Sequence, residues 1–167
     1  AEHCASGAIG IVDDIAQIDR EKCIGCGECI LVCQQGAIKI QWAKSGEEFL
    51  ERMMEYALGV LKNKPDKTLY INFINHVSPA CDCVPYNDSP IVRDIGIVAS
   101  RDPVAIDQAS VDLVNREPAL ADSCLSSHTD AGADKFRGVY PKIDYAYQLA
   151  YAEELGLGSR KYELVKI

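Results

Sequence analysis

The chain has 167 residues, 48% of them hydrophobic, with 17 Lys and Arg against 25 Asp and Glu, for a net charge of −8. That length accommodates one compact domain and a small appendage, and the apolar share is enough to form a core. The acidic balance argues against a nucleic-acid partner, whose phosphates need a basic surface. No apolar run has the length of a membrane span, and no signal peptide is visible.

Taken in order, Ile9–Val12 and Ile15–Ile18 read as two short strands around a turn at Asp13-Asp14, and residues 37–42 (Ala37 to Trp42) as another. Between them lies Cys23-Ile-Gly-Cys26-Gly-Glu-Cys29-Ile-Leu-Val-Cys33, four cysteines at the spacing C-x2-C-x2-C-x3-C. The first three thiols fall on one tight loop, which Gly25 and Gly27 allow to bend without Cβ clashes. Structural zinc sites usually build their tetrahedron from two cysteine pairs separated by a longer loop, so four cysteines this close suit a cluster better. So small a segment buries little surface, and metal–thiolate bonds have to supply much of its order. With half of the eight cysteines in this run, a reducing cytoplasm is the expected compartment rather than a disulfide-forming one.

This run resembles the bacterial-type 4Fe-4S ferredoxins, a likeness that covers residues 1–42. A partial second copy precedes it. Cys4-Ala-Ser-Gly7-Ala8-Ile9 matches Cys33-Gln-Gln-Gly36-Ala37-Ile38 at an offset of 29, and counterparts of Cys23, Cys26 and Cys29 would fall before residue 1. The expectation is a carboxy-terminal fragment of a longer parent chain that carries a second cluster. In two-cluster ferredoxins the fourth cysteine of each motif ligates the other cluster. Carried over, that assigns one [4Fe–4S] cluster to Cys23, Cys26, Cys29 and Cys4. The competing assignment is a self-contained site closed by Cys33. Ala5 and Gln34 stand where ferredoxins usually have proline, which weakens the turn after each fourth cysteine but removes no ligand.

Beyond residue 43 the pattern changes. Ser45 and Glu48 form a capping box, and Phe49, Leu50, Met53, Met54, Ala57, Leu58 and Leu61 recur at helical spacing as a core-facing stripe, broken at Asn63-Lys64-Pro65-Asp66. Residues 68–75 (Thr68 to Asn75) are strong strand formers, and residues 95–99 (Ile95 to Ala99) read as a buried strand. Asp102 caps a helix with Pro103 in its first turn; Val104, Ile106, Ala109, Leu113 and Val114 form its apolar face, with Asp107 and Asp112 on a solvated one. Residues 118–141 read as a long irregular connection, and a last helix runs near 142–155 to Gly156 and Gly158. Strands and helices intermix, so the fold class is α+β or α/β: a ferredoxin-like segment over 1–42, then an α/β domain over 43–167.

A second cysteine pair follows the first of these strands. In extended chain Cys81 and Cys83 share a face, and prolines at 79, 85 and 90 stiffen their loop. Two thiols so placed are candidates for a metal site completed by His76, Asp88, Cys124 or His128; two small buried side chains are the alternative. His128 lies in the polar loop Ser126-Ser-His-Thr-Asp130, a candidate pocket residue, although a single histidine in such a loop is more often simply exposed. Ser78-Pro-Ala-Cys-Asp-Cys83, Asp94-Ile-Gly-Ile-Val-Ala-Ser100, Asp102-Pro-Val-Ala-Ile-Asp107 and Leu155-Gly-Leu-Gly158 together resemble the DUF362 family of uncharacterised iron–sulfur center proteins. That resemblance covers nearly the whole chain. It implies an iron–sulfur cofactor, a double ferredoxin insert and an α/β portion upstream, and it supplies no substrate.

Two functions follow. One is single-electron transfer through a 4Fe-4S cluster to a redox partner protein, steered by acidic residues such as Glu28. The other is a redox enzyme domain, with a small-molecule or metal site at Cys81 and Cys83 fed by the cluster. No G-x-G-x-x-G, phosphate loop or nucleophile–base signature accompanies the second.

Overall fold

The computed structural model describes residues 1–39, 46–64, 66–81 and 86–167. The chain forms two compact units, Ala1–Lys44 and Ser45–Ile167, with a mixed α+β composition. Among the described residues no helix is long and apolar enough to cross a membrane.

In the first unit, β1 (Ile9–Val12) and β2 (Ile15–Ile18) pair antiparallel, with Ile9 opposite Ile18 and Val12 opposite Ile15. Asp13 and Asp14 hold φ of 50° and 62°, the left-handed pair that a two-residue hairpin turn needs to match the strand twist. A one-turn helix α1 (Glu28–Val32) follows Gly27, whose φ is 77°. Ala8 is the one buried residue among those described in this unit. Of the strand expected over 37–42, residues 37–39 carry none, and Ile40, Gln41 and Trp42 lie outside the described residues.

In the second unit, α2 (Glu47–Leu61) begins at Gly46; the capping role expected of Ser45 falls outside the described residues. Its stripe is narrower than the sequence implied. Leu50 is buried and Met54, Ala57, Leu58 and Leu61 are partly covered, while Phe49 and Met53 stay exposed. β3 (Tyr70–Ile74) and β4 (Gly96–Ser100) form an antiparallel pair with Asn72 opposite Val98 and Ile74 opposite Gly96. Helix α3 (Pro103–Arg116) packs on both strands, and α5 (Tyr145–Glu154) packs on α2 and α3. A five-residue helix, α4 (Lys135–Val139), interrupts the connection that the sequence left irregular.

β4 is not the buried strand that its composition implied: Ile97 is 62% exposed. The physical reason is the small sheet. With α3 against one face, Val98 turns to the core, whereas Ile97 and its partner Phe73 turn to the uncovered side. The core centres on Ile74, Ile91, Val92, Val114 and Leu125, and a second cluster joins Val104, Leu149 and Ala152. α5 starts at Tyr145, later than expected, because Asp144 caps it by accepting from the Ala146 and Tyr147 N–H groups. Gly156, at φ 76°, ends it as a left-handed residue.

Two of the sequence motifs meet in one structural lock. Asp102 Oδ1 accepts from the Val104 and Ala105 N–H groups at 2.9 Å each, and its Oδ2 accepts from the Ser159 N–H at 2.8 Å. The close approach of the two segments requires Gly158, where a Cβ would lie 2.0 Å from Asp102 Oδ1. Asp107 and Asp112 are less purely solvated than expected. Asp107 accepts from the Asn72 amide at 3.0 Å, and Asp112 accepts from Gln108 at 3.0 Å and from the Tyr162 hydroxyl at 2.7 Å.

Candidate metal centre

The loop that carries the first three cysteines is set from both sides. Asp19 anchors its start: its carbonyl accepts from the Cys23 N–H at 3.0 Å, its carboxylate from the Glu21 N–H at 3.0 Å, and Lys22 pairs with it at 3.2 Å. Gly25 and Gly27 hold φ of 71° and 77°, which fold the backbone back at each side of Cys26. The hairpin brings Cys4 to the same place, because the Asp19 N–H donates to the Ala8 carbonyl at 2.8 Å and continues the β1–β2 ladder. The result is a small hollow lined by Cys4, Cys23, Cys26 and Cys29, with Ala8, Ile9, Ile18 and Ile24 as apolar wall. Cys23 and Cys26 are exposed, and Cys4 and Cys29 half-buried.

Cys33 does not line this hollow. Its turn nonetheless repeats that of Cys4. The Gly7 N–H donates to the Cys4 carbonyl and the Gly36 N–H to the Cys33 carbonyl, both at 3.0 Å. The Ala8 N–H reaches Cys4 Sγ at 3.2 Å, and the Ala37 N–H reaches Cys33 Sγ at 3.3 Å. Gly7 and Gly36 both take the left-handed conformation, at φ 63° and 59°. The sequence repeat is thus also a repeat of geometry, each copy aiming a backbone donor at the sulfur. The Ser6 hydroxyl, then the Ala8 N–H, hold the Cys4 thiol below its usual range, and the Ala37 N–H does the same for Cys33. A thiolate is the form that ligates metal, so both turns favour the ligating state. The contribution of Ser6 had no signal in the sequence, since the matching position in the second copy is Gln35.

Among the described residues, no three His, Cys, Asp or Glu side chains converge on a single metal-ion position. The four thiols line one hollow. In a cubane cluster each thiolate takes a different iron, whereas one tetrahedral zinc needs all four at about 2.3 Å from a common centre.

The second candidate falls partly outside the described residues. Cys83 lies outside the described residues, so its pairing with Cys81 does too. Cys81 and Cys124 are exposed. The His76 N–H donates to Asp94 at 2.8 Å, Asp88 accepts from the Ser89 N–H at 2.8 Å, and the His128 ring contacts the Ser127 hydroxyl at 3.1 Å. What organises the described part of the loop is Asn87, missed in the sequence: its side chain donates to Ser78 Oγ at 2.8 Å and bonds both the N–H and the carbonyl of Ala80 at 3.2 Å.

Comparison with known proteins adds two kinds of relation. The chain is 42% identical over 40 residues to a subunit of the ion-translocating oxidoreductase complex of Methanosarcina acetivorans, a stretch covering 24% of this chain and 15% of that protein. It is 45% identical over 40 residues to the putative oxidoreductase AegA of Escherichia coli, covering 24% of this chain and 6% of that protein. The chain therefore corresponds to a small part of either protein. No solved structure matches it. The profile of the family described as a domain of unknown function, DUF362, matches residues 23–112, more than half of the chain, and takes in both the four-cysteine run and helix α3 up to Asp112. The chain belongs to the DUF362 family.

Proposed function

We propose that the first unit binds one [4Fe–4S] cluster through Cys4, Cys23, Cys26 and Cys29 and serves single-electron transfer. The observation that carries this reading is the hollow itself, lined by those four thiols and not by Cys33. Similarity to two oxidoreductases over a short stretch supports a redox role. When bound, such a cluster exchanges one electron at a potential set by hydrogen bonds, local charge and solvent exposure.

The chain's own residues supply the rest. The Ala8 N–H and the Ser6 hydroxyl stabilise charge on the Cys4 sulfur. Ile9, Ile18 and Ile24 line the hollow and limit water there. Exposed Cys23 and Cys26 leave one edge of the site at the surface, where a redox partner can approach. Four thiolates complete the coordination, so no iron is left open for substrate. The partner is a redox protein, and an acidic chain of net charge −8 favours a basic docking face.

The test is anaerobic reconstitution of the 167-residue chain, with iron and sulfide analysis and electron paramagnetic resonance of the reduced form. About four irons and four sulfides per chain and a one-electron signal are expected. Cys4→Ser should lose most of the cluster and Cys33→Ser should keep it. Zinc without inorganic sulfide would overturn the proposal. Cluster loss in Cys33→Ser with retention in Cys4→Ser would overturn the ligand assignment alone.

A further inference from the structure

A large cavity in the second unit is far in sequence from every cysteine of the first. It measures about 490 Å³, within the range of small-molecule sites, and lies along β3 where α3 and α5 flank it. Its lining combines an apolar floor with polar groups that are already ordered. The Asn72 amide donates to Asp107 Oδ1 and to Ser110 Oγ, both at 3.0 Å, which fixes all three side chains. Asp107 Oδ2 and the side-chain amides of Asn75 and Gln148 have no hydrogen-bond partner among the described residues, yet Asp107, Asn75 and Gln148 all line the cavity. Phe136 and Tyr145, whose rings pack 5.3 Å apart, supply aromatic surface.

The charge of the lining selects the ligand class. Among the described residues Asp107 is its one acidic side chain, and no Lys, Arg or His lines it. A phosphate or carboxylate would meet a carboxylate without a counter-charge. A protonated amine would instead pair with Asp107 Oδ2 and donate to the free amide oxygens, while a ring covers the aromatic surface. We propose that this cavity is a binding site for a small organic amine bearing an apolar ring, with Asp107 as its charge partner and Asn72 as the residue that positions that carboxylate. The site is independent of the cluster-binding reading.

The experiment titrates the full chain with benzylamine, benzyl alcohol and benzoate, three probes of one shape and different charge, following the amide resonances by nuclear magnetic resonance. Benzylamine is expected to shift Asn72, Asn75 and Gln148 and to bind at least about tenfold more tightly than benzoate. Asp107→Asn should abolish that preference, and Asn72→Ala, which releases that carboxylate from its partner, should reduce it. Benzoate binding as tightly as benzylamine to the unaltered chain would overturn the proposal, whether or not the variants fold. So would shifts confined to other residues, or β3 resonances that respond to protein concentration and not to benzylamine, which would mark the free strand edge as a protein contact instead.

Discussion

Replacing Gly158 by alanine tests the lock between the start of α3 and the segment after α5. The added Cβ would lie 2.0 Å from Asp102 Oδ1, 2.6 Å from its Cγ and 2.8 Å from its Oδ2, so the carboxylate has to leave. Three hydrogen bonds depend on it: two cap α3 and one holds the Ser159 N–H. Losing the cap costs about 1 kcal/mol. Losing a charge-assisted bond to a half-buried N–H adds about 1.5 kcal/mol. Residual overpacking against the displaced Asp102 side chain adds about 1 kcal/mol more. The expected destabilisation is therefore about 3.5 kcal/mol, or roughly a 15 °C fall in the melting temperature of the second unit. Urea and thermal unfolding followed by far-ultraviolet circular dichroism measure it. The decisive comparison is with Asp102→Ala, which loses the same bonds without the clash and should cost about 2.5 kcal/mol. Because both changes act on one contact, the double variant should be hardly worse than Asp102→Ala alone. A Gly158→Ala chain within about 0.5 kcal/mol of the unaltered protein, or strictly additive effects in the double variant, would refute the reasoning.

Two further predictions concern the second unit. Lys135 is fully buried, and its Nζ donates to the carbonyls of Asn115 at 3.3 Å, Asp130 at 2.6 Å and Ala133 at 3.0 Å. Lys135→Met would strand three carbonyls; about 3 kcal/mol of destabilisation is expected, with faster amide exchange over residues 115–135, and normal exchange there would contradict the assignment. The Tyr147 hydroxyl donates to Glu51 across the α2–α5 contact, and that bond, with burial second, pushes its pKa up to about 12. A raised folded-state pKa means the stabilisation is fully present below pH 10, the ordinary tyrosine value, and is lost as pH rises towards 12. Thermal melts should thus fall steeply over that window, and less steeply in Tyr147→Phe; identical profiles would show that the bond contributes nothing.

The four-cysteine spacing, the offset repeat and the hairpin around Asp13-Asp14 were all legible in the sequence because each is a local constraint. Ligand spacing, left-handed turn positions and strand alternation act over a few residues, and the chain cannot satisfy them in another way. The Asp102 cap with Pro103 was legible for the same reason. What required tertiary structure was every relation between distant segments. Which thiol completes the hollow depends on the ladder from Ala8 to Asp19, not on spacing within the motif. Why Leu155-Gly-Leu-Gly158 occurs with Asp102 emerges once a carboxylate is seen to occupy the space of a side chain. The exposed face of Ile97 and the cavity beside Asn72 were invisible because composition records how apolar a strand is, not how many layers cover it. Local chemistry specifies which residues can act; only packing of segments far apart in the chain decides which of them meet, since those contacts form when the buried apolar surface outweighs the entropy of bringing the segments together.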